Sequence, residues 1–346
     1  MKSPVISVVM SVYNDKKYLA QAIESILAQT FGDFEFLILD DASTDGSAAI
    51  IESYAEKDRR IRILANPKNI GLGASLKKGV EAAGGEFIAR MDADDISPKD
   101  RFQKQVDYLT KHPDIKILGG DHTIIDDEGS PISKLFYPKS SGLMRWNMLL
   151  GNGLIVSNGA TMMRKEFIEM IGGYSAYRAA QDYELWTRLL EYEPFPIANM
   201  ADIILYYRQH DETITKSSNS LQEKVAVQVR KQKIEGLLGR AISEEVVLAY
   251  RRTSWQYTDI EHDMLTWIEV YQKFVQRFNV KKEEHAQIKA ELLQRINNYI
   301  YVDPFRKASL GRKSFWTMLS SFPLEISVAL LTYKTKYLKF DPERTS

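Results

Sequence analysis

Glu86-Phe87-Ile88-Ala89-Arg90-Met91, followed at once by Asp92-Ala93-Asp94-Asp95, is the stretch that decides the fold. Its first six residues read as a strand, and the chain turns directly into an acidic loop. Two earlier segments repeat the pattern. Val5–Val12 is a β-rich apolar run that ends at Tyr13-Asn14-Asp15, and Phe34–Leu39 is another that ends at Asp40-Asp41. Between the strands lie stretches with helical spacing: Tyr18–Leu27 (Leu19, Ile23, Ile26, Leu27), Ala48–Ala55 and Leu72–Ala83, with a further strand at Ile61–Leu64. Apolar strands alternating with helices predict an α/β protein with a Rossmann-like, mostly parallel central sheet and helices on both faces. Right-handed crossovers then bring the strand C-terminal ends to one edge. Ligands bind along that edge in open parallel sheets, so three polar strand ends converge on one crevice.

Further along, Phe102–Leu109 reads as a helix and Ile115–Gly119 as a strand. Thr123–Phe136 reads as a hairpin turning at Asp126-Asp127-Glu128-Gly129. Asn158–Met163 and Ile203–Tyr207 extend the sheet, with helices at Lys165–Ile171 and Asp182–Leu190. Beyond about residue 218 the pattern is helical throughout: Gln222–Leu238, Ser243–Ser254, His262–Phe278 and Glu283–Tyr301. The Ser/Asn-rich stretch Lys216–Ser220 marks the boundary, giving an α/β domain over 1–218 and a C-terminal helical region over 219–346.

A chain of 346 residues buries a sizeable core and accommodates one large domain with a smaller appendage. Basic and acidic residues both number 46, so the bulk charge points away from a nucleic-acid partner. The absence of cysteine excludes disulfides and thiolate chemistry and agrees with a reducing, cytoplasmic setting. No export signal is read at the start of this sequence, and the longest apolar stretch, Phe315–Tyr333, is interrupted by Pro323 and Glu325 and falls short of a membrane span.

Asp92-Ala93-Asp94 carries the chemistry. Carboxylates two apart on a tight loop suit a hard cation, Mg²⁺ or Mn²⁺, at one and a ribose hydroxyl at the other. Such an ion would offset charge developing on a diphosphate leaving group. A solvated loop capping the following helix would account for the same residues, since Asp favours the N-cap. Asp40-Asp41-Ala42-Ser43-Thr44-Asp45-Gly46 is in part a capping loop as well, although two adjacent aspartates exceed what capping requires. A carboxylate there can accept a base N–H, and Tyr13 can lie against a flat nucleobase.

The chain resembles the inverting glycosyltransferases of family 2, which have the GT-A fold. The resemblance lies in Ile6–Asn14, Ile38–Gly46, Asn69–Leu72 and Ala89–Asp95, then Gly172-Gly173-Tyr174, Gln181–Trp186 and Tyr207-Arg208-Gln209-His210, over roughly residues 4–215. It implies that Ser11, Val12 and Tyr13 line the nucleoside pocket, that Asp41 holds the base, and that Asp92 contacts the ribose. Ala93 sits between Asp92 and the metal ligand Asp94 in the donor-binding motif. It further implies Asp182 as the general base that deprotonates an acceptor hydroxyl, Arg208 at the diphosphate, and His210 as a second metal ligand. Two positions depart from the family's pattern. Ser11 stands where Pro is frequent, and Gln181 where an acidic residue frequently precedes the base, which removes one like charge that would raise the pKa of Asp182.

The expected activity is transfer of a sugar from a nucleoside diphosphate donor, with UDP as the default nucleotide, to a glycan or lipid-linked glycan acceptor in cell-surface polysaccharide synthesis. Two rivals use the same fold. A sugar-nucleotide nucleotidyltransferase would want a Gly-rich phosphate loop after the first strand, where this chain has Tyr13-Asn14-Asp15. A non-catalytic nucleotide-sugar-binding or scaffolding protein would have no use for both Asp94 and Asp182. Between Pro304 and Phe340 seven basic residues stand against Glu325 alone, interleaved with Phe305, Phe315, Trp316 and Phe322. That pattern suits either a peripheral contact with an anionic membrane surface or packing on the catalytic domain or on a second subunit of a homo-oligomer.

Overall fold

In the computed structural model, residues 3–150, 155–175, 180–210, 219–249 and 260–301 are described. The chain divides into two compact units, Met1–Arg230 and Lys231–Ser346. The basic stretch Pro304–Phe340 lies outside the described residues, as does the end of the helix expected over Ser243–Ser254.

The first unit opens with β1 (Ile6–Val12), α1 (Lys16–Leu27), β2 (Phe34–Asp40), α2 (Ser47–Ala55), β3 (Ile61–Ala65), α3 (Leu72–Ala82) and β4 (Phe87–Met91). Then follow α4 (Arg101–Lys111), β5 (Ile117–Ile125), β6 (Pro131–Leu135), α5 (Ser141–Leu150), β7 (Met162–Arg164), α6 (Lys165–Met170), α7 (Gln181–Arg188) and β8 (Ile197–Arg208). The sheet runs β3-β2-β1-β4-β7-β5-β6, with β8 paired to β5. β1 pairs in parallel with β2 and β4, and β2 with β3, whereas β7 is antiparallel to both β4 and β5. β5 therefore points the same way as β1–β4, and its parallel partner β8 does too. The expected mixed, mostly parallel sheet is the observed one.

Register fixes what sits at the edge. Val12 lies opposite Asp40, Met10 opposite Met91, and Ile125 opposite Arg208. The residues after β1, β2, β4 and β8 thus leave the sheet on one side, close to one level. β1 and β4 are buried almost without interruption, as central strands covered on both faces must be. Leu19, Ala22, Ile23 and Ile26 of α1 pack into the same core as Val8, Met10, Ile38 and Met91.

One element was not legible. α5 buries Met144, Trp146, Met148, Leu149 and Leu150 together with Arg145 and Asn147. A helix enclosed on nearly all sides has no apolar stripe, and the 3.6-residue period that reveals surface helices is absent from its sequence.

In the second unit, α8 (Asn219–Leu238) crosses the division, and α9 (Glu244–Ala249), α10 (Ile260–Arg277) and α11 (Lys282–Tyr301) follow. Its core contains Ile268, Val270, Phe274, Ile288 and Leu292. Trp267 Nε1 donates to Val246 O at 3.0 Å, fastening α10 to α9. Among the described residues, no helix is long and apolar enough to cross a membrane.

Candidate active site

The loops after β1 and β2 are stitched into one layer. Asn14, at φ 58°, donates its N–H to Ser43 Oγ at 3.1 Å and accepts Thr44 N–H on Oδ1 at 2.8 Å. Asp15 N donates to Ser47 Oγ, and Asp45 accepts the N–H groups of Lys16 and Ser47. The Asp45 carboxylate thus ties the start of α1 to the start of α2. Ser11 is half-buried and Val12 buried, while Tyr13 is 48% exposed and presents its ring at the edge.

Asp41 is buried, and its carboxylate organises the loop that opens α3. Oδ1 accepts Asn66 Nδ2 and Ile70 N–H, both at 2.9 Å, and Oδ2 accepts Gly71 N–H at 2.8 Å. Gly71 sits at φ 89°, a conformation glycine adopts without strain.

The acidic loop after β4 is held from three directions. Arg90, fully buried on β4, forms an ion pair with Asp92. Arg208, at the end of β8, donates its backbone N–H to Asp95 Oδ1 at 2.8 Å and Nε–H to Asp94 O at 3.0 Å. Ile96 and Tyr206 exchange backbone hydrogen bonds at 3.1 and 2.9 Å, so β8 runs alongside the loop as it leaves. Ala93 is buried between the two aspartates.

The resemblance puts Arg208 on a diphosphate; the structure puts its guanidinium inside. Nη1 donates to the carbonyls of Asp126 and Asp127 at 3.0 and 2.7 Å, and Nη2 to Gln21 Oε1 at 2.7 Å. The cation lies 4.5 Å from the Tyr18 ring centroid. Four of the five guanidinium N–H donors are thus engaged by the protein, and Arg208 in this arrangement orients the acidic loop.

His210 follows on the same edge. Its Nε2 lies 3.1 Å from Asp94 Oδ2, and its ring packs 5.0 Å from the centroid of Tyr18. Burial raises the pKa of Asp94, the Asp92 charge adds to the rise, and His210 opposes it. Among the described residues no three carboxylates and imidazoles gather around one point. The Asp94–His210 pair nonetheless fits a hard divalent cation. Two ligands at about 2.1 Å occupying adjacent octahedral positions stand about 3.0 Å apart, and phosphate and water oxygens customarily complete such a shell.

Asp182 lies in the first turn of α7, half-buried, with Oδ1 accepting Tyr183 N–H at 2.8 Å. Burial raises its pKa; the Arg90 cation lowers it and the Asp92 anion raises it. Ser11, Val12, Tyr13, Asp41, Asp92, Ala93, Asp94 and His210 lie at or just beyond the ends of β1, β2, β4 and β8, and Asp182 lies in the first turn of α7.

Four contributors escape a reading of the motifs alone. Asp15 joins the cluster: burial raises its pKa to about 6, with Asp94, Asp92 and Asp45 adding to the rise against a hydrogen bond from Tyr13 N–H. Its place in the polar run after β1 was the available signal. Asp95 is fully buried, and burial with the charges of Asp94 and Asp92 pushes its pKa well above the ordinary carboxylate value. Arg101, also fully buried, donates to Gln105 Oε1 and to Arg90 O, and burial beside Arg90 lowers its pKa to about 9. Buried cations beside buried anions compensate one another's desolvation, as interior charges must.

Gly159 is the fourth, in a 3₁₀ turn over Asn158–Ala160. A Cβ there would stand 2.6 Å from Asp92 Oδ2, 3.2 Å from Asp95 Oδ2 and 3.3 Å from Leu205 Cδ2. Asp92 is held by its ion pair with Arg90, so a methyl group at this position pushes against that pair. Gly159→Ala is expected to displace the Asp92 carboxylate and to cost about 1–3 kcal/mol of stability by overpacking. Thermal melts and donor kinetics check this; an unchanged melting temperature with unchanged donor KM would show that the loop is loose.

The sheet, its ligand edge and its helical layers define an α/β protein of GT-A fold. The sequence profile of Glycosyl transferase family 2 matches residues 7–172. EpsE of Bacillus subtilis (strain 168), a glycosyltransferase by name, is 32% identical over 221 residues, covering 62% of this chain and 77% of that protein. The O-antigen biosynthesis glycosyltransferase WbnJ of Escherichia coli is 31% identical over 229 residues, covering 65% and 88%. The crystal structure of S. aureus TarS 1-349 in complex with UDP-GlcNAc superposes with a TM-score of 0.56 at 20% identity, over 88% of this chain and 92% of that one. The chain belongs to glycosyltransferase family 2.

Proposed function

We propose that this chain is an inverting, metal-dependent glycosyltransferase that transfers a sugar from a nucleoside diphosphate donor to a hydroxyl of a glycan or lipid-linked glycan, in the assembly of a cell-surface polysaccharide on the cytoplasmic side. The observation that carries the reading is the approach of His210 Nε2, just beyond β8, to within 3.1 Å of Asp94 Oδ2 on the acidic loop after β4. The O-antigen role named for WbnJ supports the polysaccharide assignment, and the UDP-GlcNAc bound to TarS supports a UDP-sugar donor.

In this reading Tyr13 lies against the base, beside Ser11 and Val12. Asp41 offers the free lone pair of Oδ2 to a base N–H, and Asp92 accepts from the ribose. Asp94 and His210 hold Mg²⁺ or Mn²⁺. The bound ion would supply Lewis-acid stabilisation of the departing diphosphate. Asp182 takes the proton of the acceptor hydroxyl as the hydroxyl oxygen attacks the anomeric carbon from the face opposite the diphosphate. One displacement inverts the configuration, so a single carboxylate suffices on the acceptor side. Arg208 orients the acidic loop through the Asp94 carbonyl.

A panel of UDP-glucose, UDP-galactose, UDP-N-acetylglucosamine and GDP-mannose, with and without Mn²⁺, tests this. One donor at a hundredfold excess over its Kd should stabilise the protein by about 2.7 kcal/mol, several degrees in Tm, only when Mn²⁺ is present. The same donor should release its nucleoside diphosphate slowly with water as acceptor. Stabilisation without any turnover would favour a binding protein; neither effect with any donor would overturn the reading.

A further inference from the structure

Lys17, Tyr18 and Gln21 lie on one side of α1, since residues three and four apart are neighbours on a helix. That side meets the end of β8 and the turn before β6. Lys17 Nζ pairs with Asp127 Oδ2 at 2.8 Å, and Gln21 Oε1 accepts Arg208 Nη2 at 2.7 Å. The ion pair is exposed and holds little on its own. Tyr18 differs. It is only 6% exposed, and its ring meets two side chains from the end of β8. The Arg208 cation lies 4.5 Å from the ring centroid, and the His210 ring stands 5.0 Å from it, tilted by 45°. His210 Nε2 in turn lies 3.1 Å from Asp94 Oδ2. Tyr18, His210 and Asp94 are therefore in contact one after the other, from α1 to the acidic loop.

His210 stands two residues past the end of β8, after Gln209 N–H has donated to Ile125 O at 2.9 Å. An imidazole that ligates a metal must present one nitrogen to the ion, and the groups that hold its ring decide how well it does so. The Tyr18 ring suits that task. Aromatic pairs favour tilted arrangements at this separation, and a guanidinium is attracted to an aromatic face. A leucine would fill much of the same space and supply neither preference.

We infer that Tyr18 is a positioning residue for the metal site: its ring, fixed in the first turn of α1, seats the His210 imidazole beside Asp94. The inference rests on the proposed role of His210 and deepens it. Tyr18 N–H donates to Asp15 O at 3.2 Å, so the same turn starts at the loop that carries Tyr13. One turn of helix thereby places the second metal ligand relative to the loop assigned to the nucleoside.

The experiment uses the full chain and reads binding rather than turnover. Mn²⁺ is titrated in the presence of UDP or GDP, whichever stabilises the chain, and free Mn²⁺ is followed by electron paramagnetic resonance. Tyr18→Leu is expected to weaken Mn²⁺ binding about tenfold, the lower end of what losing a supporting group costs a metal site. Tyr18→Phe keeps the ring and should bind as the wild type does. Tyr18→Leu combined with His210→Gln should bind no more weakly than His210→Gln alone, because the two changes remove one and the same contribution.

A role confined to packing would lower the Tm of Tyr18→Leu and leave its Mn²⁺ affinity unchanged, which overturns the inference. A full further tenfold loss in the double variant also overturns it, since Tyr18 would then act on the ion by another route. If Tyr18→Leu has no cooperative melt, Tyr18→Met takes its place with the same expectations, because methionine adapts to irregular gaps. Failure of the underlying reading looks different: His210→Gln would then bind Mn²⁺ as tightly as the wild type, or the wild type would bind none.

Discussion

Replacing Asp182 with asparagine is expected to lower kcat for sugar transfer by about 10²–10⁴-fold, the usual contribution of a positioned general base, while leaving the protein at least as stable as before. Asparagine keeps the shape and can still accept the Tyr183 N–H that the carboxylate accepts at 2.8 Å, so the first turn of α7 is preserved. It cannot take a proton at neutral pH. The stability side follows from the same burial. Asp182 has a folded-state pKa above its ordinary value, because burial disfavours the charged form. A carboxylate raised in this way contributes stability that is present below its unfolded pKa and lost as pH rises through its folded pKa. At neutral pH the charged form is therefore a cost, and the neutral amide removes it. A dead enzyme with an unchanged or higher Tm is the expected result; a dead enzyme that has lost its cooperative melt would show only that α7 needs the carboxylate. In the wild type, kcat/KM should rise with pH through a value above the ordinary carboxylate range. Gln181 before the base lacks the acidic charge that the family's pattern frequently places there, and burial together with Asp92 supplies the upward push in its stead.

Much of this arrangement was legible from the text of the chain, for a definite reason. β1, β2 and β4, in the parallel half of the sheet, are buried almost throughout, so they appear as apolar runs, and each ends where a polar cluster begins. That pattern alone puts Tyr13, Asp41, Asp92 and Asp94 at one edge. Arg208 shows where such a reading stops. An arginine near phosphate-binding residues reads as a phosphate ligand, and only the fold shows that the carbonyls of Asp94, Asp126 and Asp127 reach its guanidinium first. Those partners lie more than 80 residues away in sequence. Gly159 failed to register for a related reason: its meaning depends on which side chain faces it across a β4 contact, and that is a property of register. Arg90 carried a signal that could have been used, since a lone charge within a fully buried strand requires an explanation.

Asp94→Ala is expected to abolish metal-dependent donor binding and to lower kcat/KM by about 10³-fold, roughly 4 kcal/mol of transition-state stabilisation. The distinction that matters is between losing a ligand and losing the loop, and the structure separates the two. The loop is held by the Asp94 carbonyl, which accepts Arg208 Nε–H at 3.0 Å, by Asp95 Oδ1 on the Arg208 backbone, and by the Ile96–Tyr206 pair. None of these needs the Asp94 side chain. That side chain meets His210 alone among the hydrogen bonds described, 3.1 Å from Nε2. Alanine therefore removes one of the two candidate ligands from a loop that keeps its frame, and the thermal melt without ligand should change little. Titration with Mn²⁺ and the preferred donor should then show no metal-dependent gain in Tm. His210→Gln should give a smaller loss, because the carboxylate supplies the charge that a hard cation needs most and the imidazole only a neutral donor. If Asp94→Ala keeps both its metal-dependent stabilisation and its turnover, the cation is held elsewhere, and the 3.1 Å pair is a hydrogen bond that steadies the end of β8.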